Sequence, residues 1–184
     1  MEFKTFNKIA RLTREMIVTE KIDGTNGIIA IGENGEFQIG SRNKWLTDEL
    51  GNIQSDNAGF AQWAIKNRES LMALGVGFHY GEWWGSGIQR GYDLPKGEKR
   101  FSLFNVSRWS DDSLRPACCG VVPTLHVGMF STSKIDEILL DLKENGSYAA
   151  RGFMRPEGVV IFHVAGGYLF KKTIEKDEQP KGFS

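Results

Sequence analysis

Alternating apolar and polar residues near the start of the chain predict a group of β-strands. The stretch MIVTEKI at 16–22 and the stretch GIIAIGENGEFQIGS at 27–41 place hydrophobic side chains at every second position over several residues. Side chains on a strand point alternately to opposite faces of a sheet, so this pattern is typical of strands with one buried face. The segment GENGE at 32–36 carries the Asn-Gly pair favoured in hairpin turns. Two or three strands are therefore predicted here.

Further along the chain, two segments have the period of an α-helix. The first is predicted from about residue 57 to residue 74, with one apolar face made of Phe60, Trp63, Ala64 and Leu71. The second has Ser133 as its predicted N-cap, Asp136 and Glu137 in its first turn, and Gly146 at its C-terminal end. Its apolar stripe consists of Ile135, Ile138, Leu139 and Leu142.

The remaining apolar segments predict more strands. VGFHYGEWW at 76–84 and KRFSLFNV at 99–106 flank a glycine-rich loop at 85–98. Its first part, GSGIQRG at 85–91, is predicted to be a mobile loop near the candidate site. EGVVIFHV and YLFKKTI, within 157–174, predict a closing hairpin, whereas residues 107–124 show no regular pattern. We therefore expect one α+β domain over residues 1–184, dominated by antiparallel strands.

Composition and charge narrow the class of protein. The chain has 184 residues, 40% of them hydrophobic and 25% charged, which is typical of a soluble globular domain. Lys plus Arg number 23 and Asp plus Glu number 23, so binding to nucleic acid by net charge alone is disfavoured, although a local basic groove remains open. The adjacent Cys118 and Cys119 do not have zinc-site spacing and are expected to be reduced thiols. No signal peptide or membrane span is visible, so a cytoplasmic location and no membrane partner are expected.

The segment TEKIDGTNG at 19–27 is the first candidate for chemistry, because it places Lys21 between Glu20 and Asp23. A plain surface turn is one interpretation, since Asp-Gly and Asn-Gly pairs favour turns. The other is a nucleophilic lysine in a phosphate-handling site. A free lysine has a pKa near 10.4, so using the neutral amine at pH 7 costs roughly 4–5 kcal/mol. The cations of FKK at 170–172, or a divalent metal, would reduce that cost.

Further motifs follow this segment in a fixed order. They are SRNK at 41–44, GEWWGSGIQ at 81–89, FSLFNV at 101–106, PEGVVIF at 156–162 and LFKKT at 169–173. Together with EKIDGTN at 20–26, this set resembles the covalent nucleotidyltransferase superfamily of ATP-dependent ligases and capping enzymes. It is most similar to the RNA ligase branch, which includes the phage double-strand nick sealers and the RNA-editing ligases. The resemblance spans residues 20–173.

The resemblance implies an enzyme, an ATP-dependent polynucleotide ligase that acts on RNA ends or nicked RNA. Lys21 would attack the α-phosphate of ATP to form a lysyl–AMP adduct, and AMP would pass to a 5′-phosphate that is then sealed to a 3′-hydroxyl. Glu157 would help to hold Mg²⁺ or Mn²⁺, and Lys171 with Lys172 would bind phosphate. These four residues are the implied catalytic set.

The resemblance also implies a set of nucleotide-binding residues. Glu20 would face the adenine edge, Glu82 would bind the ribose hydroxyls, and Phe104 would stack on adenine. Asn26 would help at the phosphate, and Arg42 would contact the nucleotide or the 5′-phosphate. Asp23 and Gly24 belong to the same motif as Lys21 and are expected to contribute to the nucleotide site.

The fold implied by the resemblance is the ATP-grasp-like adenylylation domain of ligases, with antiparallel sheets flanked by helices. The last motif of the family usually reads K-x-K, whereas here Lys171 and Lys172 are adjacent and Thr173 follows. One of the two lysines is therefore expected to point toward the core-side layer or to solvent, and which one is left open by the sequence. The chain also has Asn105 where aspartate is common. It also ends eleven residues after Thr173, where relatives usually carry a C-terminal domain. We therefore expect no appended OB-fold or C-terminal domain, and a separate nucleic-acid-binding partner becomes a possible requirement for strand joining.

Other functions remain open at the level of the sequence. One alternative is a DNA ligase or a guanylyl-transferring capping enzyme, which the GEWWGSGIQ motif disfavours. Another is a non-catalytic module that binds nucleotides or RNA ends. The joint presence of Lys21, Glu82, Glu157 and Lys171 disfavours that module.

Overall fold

The computed structural model describes residues 2–6, 8–175 and 177. Four antiparallel strands form the first sheet, in the order β7-β1-β8-β9. Their bounds are Glu15–Lys21 for β1, Thr124–Met129 for β7, Gly158–His163 for β8 and Tyr168–Thr173 for β9. The predicted closing hairpin is confirmed as the β8–β9 pair.

Five strands form the second sheet, in the order β3-β2-β4-β5-β6. Their bounds are Thr25–Ile31 for β2, Phe37–Gly40 for β3, Gly77–Gly85 for β4, Lys99–Leu103 for β5 and Cys119–Val121 for β6. Neighbouring strands are antiparallel except for β5 and β6, which are parallel. The three residues 22–24 connect β1 to β2 and thereby join the two sheets.

Each sheet packs one face against helices and turns its other face toward the cleft. Met16, Val18, Val159 and Ile161 of the first sheet pack against α4, Thr132–Asn145. The second sheet packs against α1, Phe60–Lys66, and α2, Arg68–Leu71. Because the helices cover the outer faces, the polar side chains of the two inner faces can meet. The α+β class with predominantly antiparallel sheets is confirmed.

The predicted helix over 57–74 is wrong as one continuous element. The chain forms α1, then α2, then a short 3₁₀ helix at Met72–Leu74. Asn67 separates the two α-helices, and its side-chain Nδ2 donates to the carbonyl of Trp63. An Asn side chain that bonds to nearby backbone competes with regular helix, which explains the break. The predicted apolar face is correct, since Phe60, Ala64 and Leu71 are fully buried.

The N-cap of α4 is Ser131, so the prediction of Ser133 is wrong. The Ser131 hydroxyl accepts a hydrogen bond from the backbone N–H of Lys134. The Ser133 hydroxyl forms a hydrogen bond with the Ser131 hydroxyl and does not cap the helix. Asp136 and Glu137 consequently lie in the second turn. Gly146 ends the helix with a φ of 82°, as predicted.

Residues 107–124, which lacked a sequence pattern, contain regular structure. They include most of α3, Val106–Trp109, together with β6 and the first residue of β7. Cys118 and Cys119 are both free thiols, as expected. The predicted polar tail from residue 175 lies mostly outside the described residues. Among the described helices, none combines the length and the apolar character needed to cross a membrane.

Candidate functional site

A cleft of about 760 Å³ lies between the inner faces of the two sheets. The first sheet contributes residues of β1, β8 and β9, and the second sheet contributes residues of β2 and β4 and the segments that follow β3 and β5. The predicted site residues that line the cleft are Glu20, Lys21, Asn26, Arg42, Glu82, Phe104 and Lys171. Asp23, Gly24, Glu157 and Lys172 do not line it, and their positions are described below.

Lys21 and Glu157 form an ion pair at one end of the cleft. The Lys21 Nζ donates to Oε2 of Glu157 over 2.6 Å, and their side chains are 20% and 4% exposed. The pairing of β1 with β8 places Lys21 opposite Gly158, so the preceding residue is brought beside the amine. Gly158 has a φ of 152°, and a Cβ there would come 2.2 Å from the Lys172 carbonyl oxygen. The glycine therefore permits the close approach of β9 that positions Glu157.

Gly24 allows the backbone of the β1–β2 connection to pack directly against the backbone of β4. A Cβ at this position would lie 2.4 Å from the carbonyl oxygen of Trp83 and 2.8 Å from Cβ of Trp84. Its backbone N–H donates to Oε1 of Glu82 over 2.9 Å. The glycine after Asp23 is thus required where the β1–β2 connection crosses β4.

Glu82 and Asn26 form the opposite wall of the cleft. They lie directly across from each other on β4 and β2, and Asn26 Nδ2 donates to Oε2 of Glu82 over 3.2 Å. Burial raises the pKa of the Glu82 carboxyl to about 7, while the positive charge of Lys21 and the N–H of Gly24 act in the opposite direction. The carboxylate and its protonated form are therefore both accessible near neutral pH.

Asp23 is held by the glycine-rich segment at 85–98. Its Oδ2 lies 3.1 Å from Nε of Arg90, and its backbone N–H donates to the Tyr92 hydroxyl over 2.7 Å. Arg90 also donates to the carbonyl of Arg155. The predicted position of this segment near the site is confirmed by its contacts with Asp23, whereas its mobility stays a prediction. Sequence reasoning missed Arg90 and Tyr92, since nothing in their local pattern indicates the contact with Asp23.

The Glu20 carboxylate is directed away from the inner face. It accepts hydrogen bonds from Ser147 Oγ at 2.6 Å, from Tyr148 N–H at 2.8 Å and from Ala149 N–H at 2.9 Å. Burial raises the pKa of this carboxyl, and the three donors oppose the shift. Glu20 lines the cleft, but it alternates with Lys21 and lies on the same side of β1 as Met16 and Val18, which pack against α4. Its predicted contact with adenine stays a prediction.

The same alternation separates the two adjacent lysines of β9. Lys171 lies opposite Val160 and lines the cleft. Lys172 lies opposite Val159, on the face that packs against α4, and its Nζ donates to Oδ1 of Asp136. The register therefore distinguishes the two lysines, with Lys171 at the cleft and Lys172 on the face that packs against α4.

Arg42, Phe104 and Asn105 complete the wall formed by the second sheet. Arg42 is exposed and follows β3, and the Phe104 side chain is 40% exposed at the end of β5. Asn105 lines the cleft but also caps α3, because its Oδ1 accepts from the N–H of Arg108. An accessible ring and an exposed guanidinium are suited to stacking and to anion binding, respectively.

Within the described residues, no group of three His, Cys, Asp or Glu side chains is arranged to hold a metal ion. A cleft of this size with a few convergent polar groups is typical of a small-molecule site, and its buried ion pair and the raised pKa of Glu82 are typical of an active site.

The family of the chain follows from a comparison of its sequence with family models. The model described as RNA ligase matches residues 14–173. This range includes β1, β9 and every predicted site residue, so the chain belongs to the RNA ligase family. A search of curated protein sequences finds no significant match.

Solved structures of an RNA ligase from Naegleria gruberi have the same fold. A variant with ATP and Mn gives a TM-score of 0.66 at 22% identity, covering 89% of this chain and 51% of that one. An apo variant gives 0.63 at 22% identity, covering 88% and 50%. A third, with AMP and Mn, gives 0.62 at 22% identity, covering 87% and 49%. The chain spans about half the length of these ligases.

Proposed function

We propose that this chain is an ATP-dependent nucleotidyltransferase domain that adenylylates Lys21 as the first step of RNA ligation. The observation that carries the proposal is the Lys21–Glu157 pair, at 2.6 Å, on the wall of a cleft large enough for a nucleotide. The chain's membership of the RNA ligase family and the ATP and Mn named for the Naegleria enzyme support it.

In this step, Lys21 Nζ forms a bond to the α-phosphorus of ATP while the bond from that phosphorus to the bridging oxygen breaks and pyrophosphate leaves. The attacking nitrogen must lose a proton, and Glu157 Oε2 is the nearest acceptor through which it can depart. The positive charge of Lys171 at the same cleft balances phosphate charge. Lys172, which pairs with Asp136, takes no part.

Nucleotide recognition is assigned to the second sheet. Glu82 in its carboxylate form accepts hydrogen bonds from the ribose hydroxyls, Phe104 stacks on adenine, and Asn26 and Arg42 bind phosphate oxygens. Glu20 supports the site indirectly by fixing the backbone at 147–149. Asp23 and Gly24 fix the turn that brings Lys21 toward Glu82.

The donor set suits a hard divalent cation. Mg²⁺ and Mn²⁺ prefer carboxylate and phosphate oxygens, and such ions are commonly held by one or two carboxylates together with substrate phosphates. Glu157 is the carboxylate that would hold the ion, and a three-ligand protein cage is not needed. When bound, the metal neutralises phosphate charge and helps to orient the leaving group.

The later steps act on RNA. A 5′-phosphate oxygen of the RNA attacks the phosphorus of the lysyl–AMP adduct and releases the lysine. A 3′-hydroxyl then attacks that 5′-phosphate, a new phosphodiester forms, and AMP leaves. Because the chain spans half of the Naegleria ligases, efficient joining is proposed to require a further nucleic-acid-binding element, supplied by a partner or by a longer chain.

The test of the first step is covalent labelling with α-labelled ATP. Wild type and Lys21→Ala are incubated with Mg²⁺ or with Mn²⁺ and then denatured, and the label on the protein is measured. We expect label on the wild type only, and its release by added pyrophosphate. Absence of label with both metals, despite measurable ATP binding, would show that the chain is a non-catalytic nucleotide-binding module.

The nucleotide and the acceptor distinguish the remaining alternatives. GTP in place of ATP should give no adduct, whereas preferential labelling by GTP would indicate a capping-type guanylyltransferase. Purified adenylylated protein should transfer AMP to 5′-phosphorylated RNA at a nick or end. Transfer to nicked DNA in preference to nicked RNA would indicate a DNA ligase.

A further inference from the structure

Three exposed aromatic side chains lie side by side on the inner face of the second sheet, beyond the cleft. Phe78 and Tyr80 are 60% and 51% exposed, and Trp45 is 44% exposed. Phe78, Tyr80 and Glu82 alternate along β4, so they share one face of the strand. We call Trp45, Phe78 and Tyr80 the aromatic face. It continues the surface that carries the Glu82 wall of the cleft.

The rings of the aromatic face are arranged as a platform. The Phe78 and Tyr80 centroids lie 6.3 Å apart with 16° between the ring planes. The Trp45 ring lies 6.3 Å from that of Phe78 at 34°, and it also covers Gly40, where a Cβ would come 3.2 Å from the indole. The glycine at position 40 thus lets Trp45 lie flat against the sheet.

Positive charge borders the aromatic face. Arg42 and Lys44 belong to the turn between β3 and Trp45, which is closed by a hydrogen bond from the Ser41 N–H to the Lys44 carbonyl. Both side chains are exposed, and neither forms an ion pair within the described part of the chain. Arg42 also lines the cleft, so the basic turn connects the proposed reaction site with the aromatic face.

Aromatic rings beside unpaired cations match the chemistry of a single-stranded nucleic acid. Bases stack on exposed rings with little sequence preference, and the backbone phosphates attract neighbouring Arg and Lys. We propose that the aromatic face binds unpaired bases of the RNA strand whose end enters the cleft. This inference rests on the proposed function, because it takes RNA as the acceptor.

The test measures RNA binding without any ligase chemistry. A short fluorescent single-stranded RNA with a 5′-phosphate is titrated with wild type, with Phe78→Ser/Tyr80→Ser and with Tyr168→Ser, in the absence of ATP. Tyr168 is the matched control, since it is 67% exposed on β9 and does not line the cleft. We expect the double variant to bind about tenfold or more weakly, since each base–aromatic stack contributes measurably, and Tyr168→Ser to bind like wild type.

Salt dependence separates stacking from charge. The double variant should keep the wild-type slope of affinity against salt, whereas Lys44→Gln should lower that slope by about one unit. Equal RNA affinity of the double variant and wild type would overturn the inference. The wild type could also be a dimer that becomes monomeric in the double variant while the RNA affinity stays unchanged. That result would overturn the inference and show that the aromatic face is an interface between two copies of the chain.

Lysine labelling by ATP in the same variants keeps the two proposals apart. We expect the double variant to label as wild type does, since neither ring lines the cleft. If label forms but RNA affinity does not depend on the aromatic face, this inference fails and the adenylylation step stands. If RNA affinity depends on the aromatic face but no protein is labelled, the inference stands and the proposed catalysis fails.

Discussion

The first sheet and the second sheet line the same cleft, but they hold their polar groups in different ways. In the first sheet, Lys21 on β1 pairs directly with Glu157, immediately before β8, over 2.6 Å. In the second sheet, Glu82 is held by neutral donors, the N–H of Gly24 and the amide of Asn26, and burial raises its pKa to about 7. A mutually neutralised pair suits a reaction centre, whereas an acceptor held by neutral donors suits recognition of hydroxyl groups. We infer that chemistry and recognition are divided between the sheets.

The largest expected effect tests the assignment of the two adjacent lysines in the first sheet. Lys171→Ala should lower the rate of lysine adenylylation by about a hundredfold to a thousandfold, as expected for loss of a charged group that stabilises developing phosphate charge. Lys172→Ala is the matched control and should change the rate by less than about fivefold, since an exposed ion pair contributes at most about 1 kcal/mol. Single-turnover labelling with ATP measures both rates.

The opposite ranking of the two lysines would contradict the strand register. If Lys172→Ala were the slower variant, the face of β9 that packs against α4 would have to contact phosphate. That result would also remove the Lys171 contribution from the proposed charge balance around Lys21.

The second prediction concerns Gly24, where the connection between the sheets crosses β4. Gly24→Ala should lower the free energy of unfolding by about 1–3 kcal/mol, because the new Cβ meets a backbone carbonyl that cannot rotate away. Gly120→Ala is the control. Its Cβ would meet the Ser102 Oγ at 3.2 Å, so a change within about 1 kcal/mol is expected. Denaturant unfolding measures both, and equal effects would show that the sheets are not held in contact at Gly24.

The third prediction concerns the Glu82 carboxyl of the second sheet. Only its carboxylate accepts hydrogen bonds from two hydroxyl groups, and with a pKa of about 7 the carboxylate fraction falls about tenfold between pH 8 and pH 6. ATP affinity should therefore fall by up to about tenfold over this range in the wild type. Glu82→Gln should bind ATP more weakly and show a flatter pH profile. Titration calorimetry at several pH values measures both, and an identical profile in the variant would exclude Glu82 as the source.

The same carboxyl predicts a change of stability with pH in the absence of ATP. Its pKa in the folded protein is raised from an ordinary value of 4.5 to about 7, so its contribution to stability is fully present below pH 4.5. That contribution is lost as the pH rises through about 7. Relative to Glu82→Gln, the wild type should therefore lose stability between these pH values. A relative gain over this range would contradict the raised pKa.

The sequence was sufficient to predict most of the strands and to select the polar groups of the cleft, because both depend on local pattern or on ordered motifs. It did not decide between Lys171 and Lys172, although adjacent strand residues must face opposite sides. The alternation requires one of the two lysines to turn away. Which one does is decided by the pairing of β8 with β9 and by the packing of α4 against the first sheet.

Other features depended on contacts between residues far apart in the chain. Arg90 meets Asp23 across 67 positions, and Ser147 meets Glu20 across 127. No local signal encodes such contacts. The displaced cap of α4 has a different cause, since Ser131 and Ser133 are equally good cap residues and the backbone conformation of Ser131 selects between them.

The smallest expected effect concerns the support that the glycine-rich segment gives to the Lys21–Gly24 corner. Arg90→Gln removes an ion pair with Asp23 whose side chains are 28% and 18% exposed, so it should cost about 0.5–1 kcal/mol of stability. Lys134→Gln removes an exposed pair with Glu137 on α4, far from the corner in sequence, and should cost less than about 0.5 kcal/mol. Thermal unfolding compares the two.

Adenylylation shows whether the Arg90 contact positions the site or only stabilises the fold. Because Asp23 lies two residues after Lys21, loosening it should displace the amine and slow labelling by about threefold to tenfold, whereas Lys134→Gln should label at the wild-type rate. Arg90→Lys keeps the charge but loses the second bond, to the Arg155 carbonyl, and should fall between wild type and Arg90→Gln. Arg90→Gln could lose stability and still be labelled at the wild-type rate. The glycine-rich segment at 85–98 would then stabilise the second sheet without orienting Lys21 on the first sheet. The proposed division between reaction and recognition would then not depend on this loop.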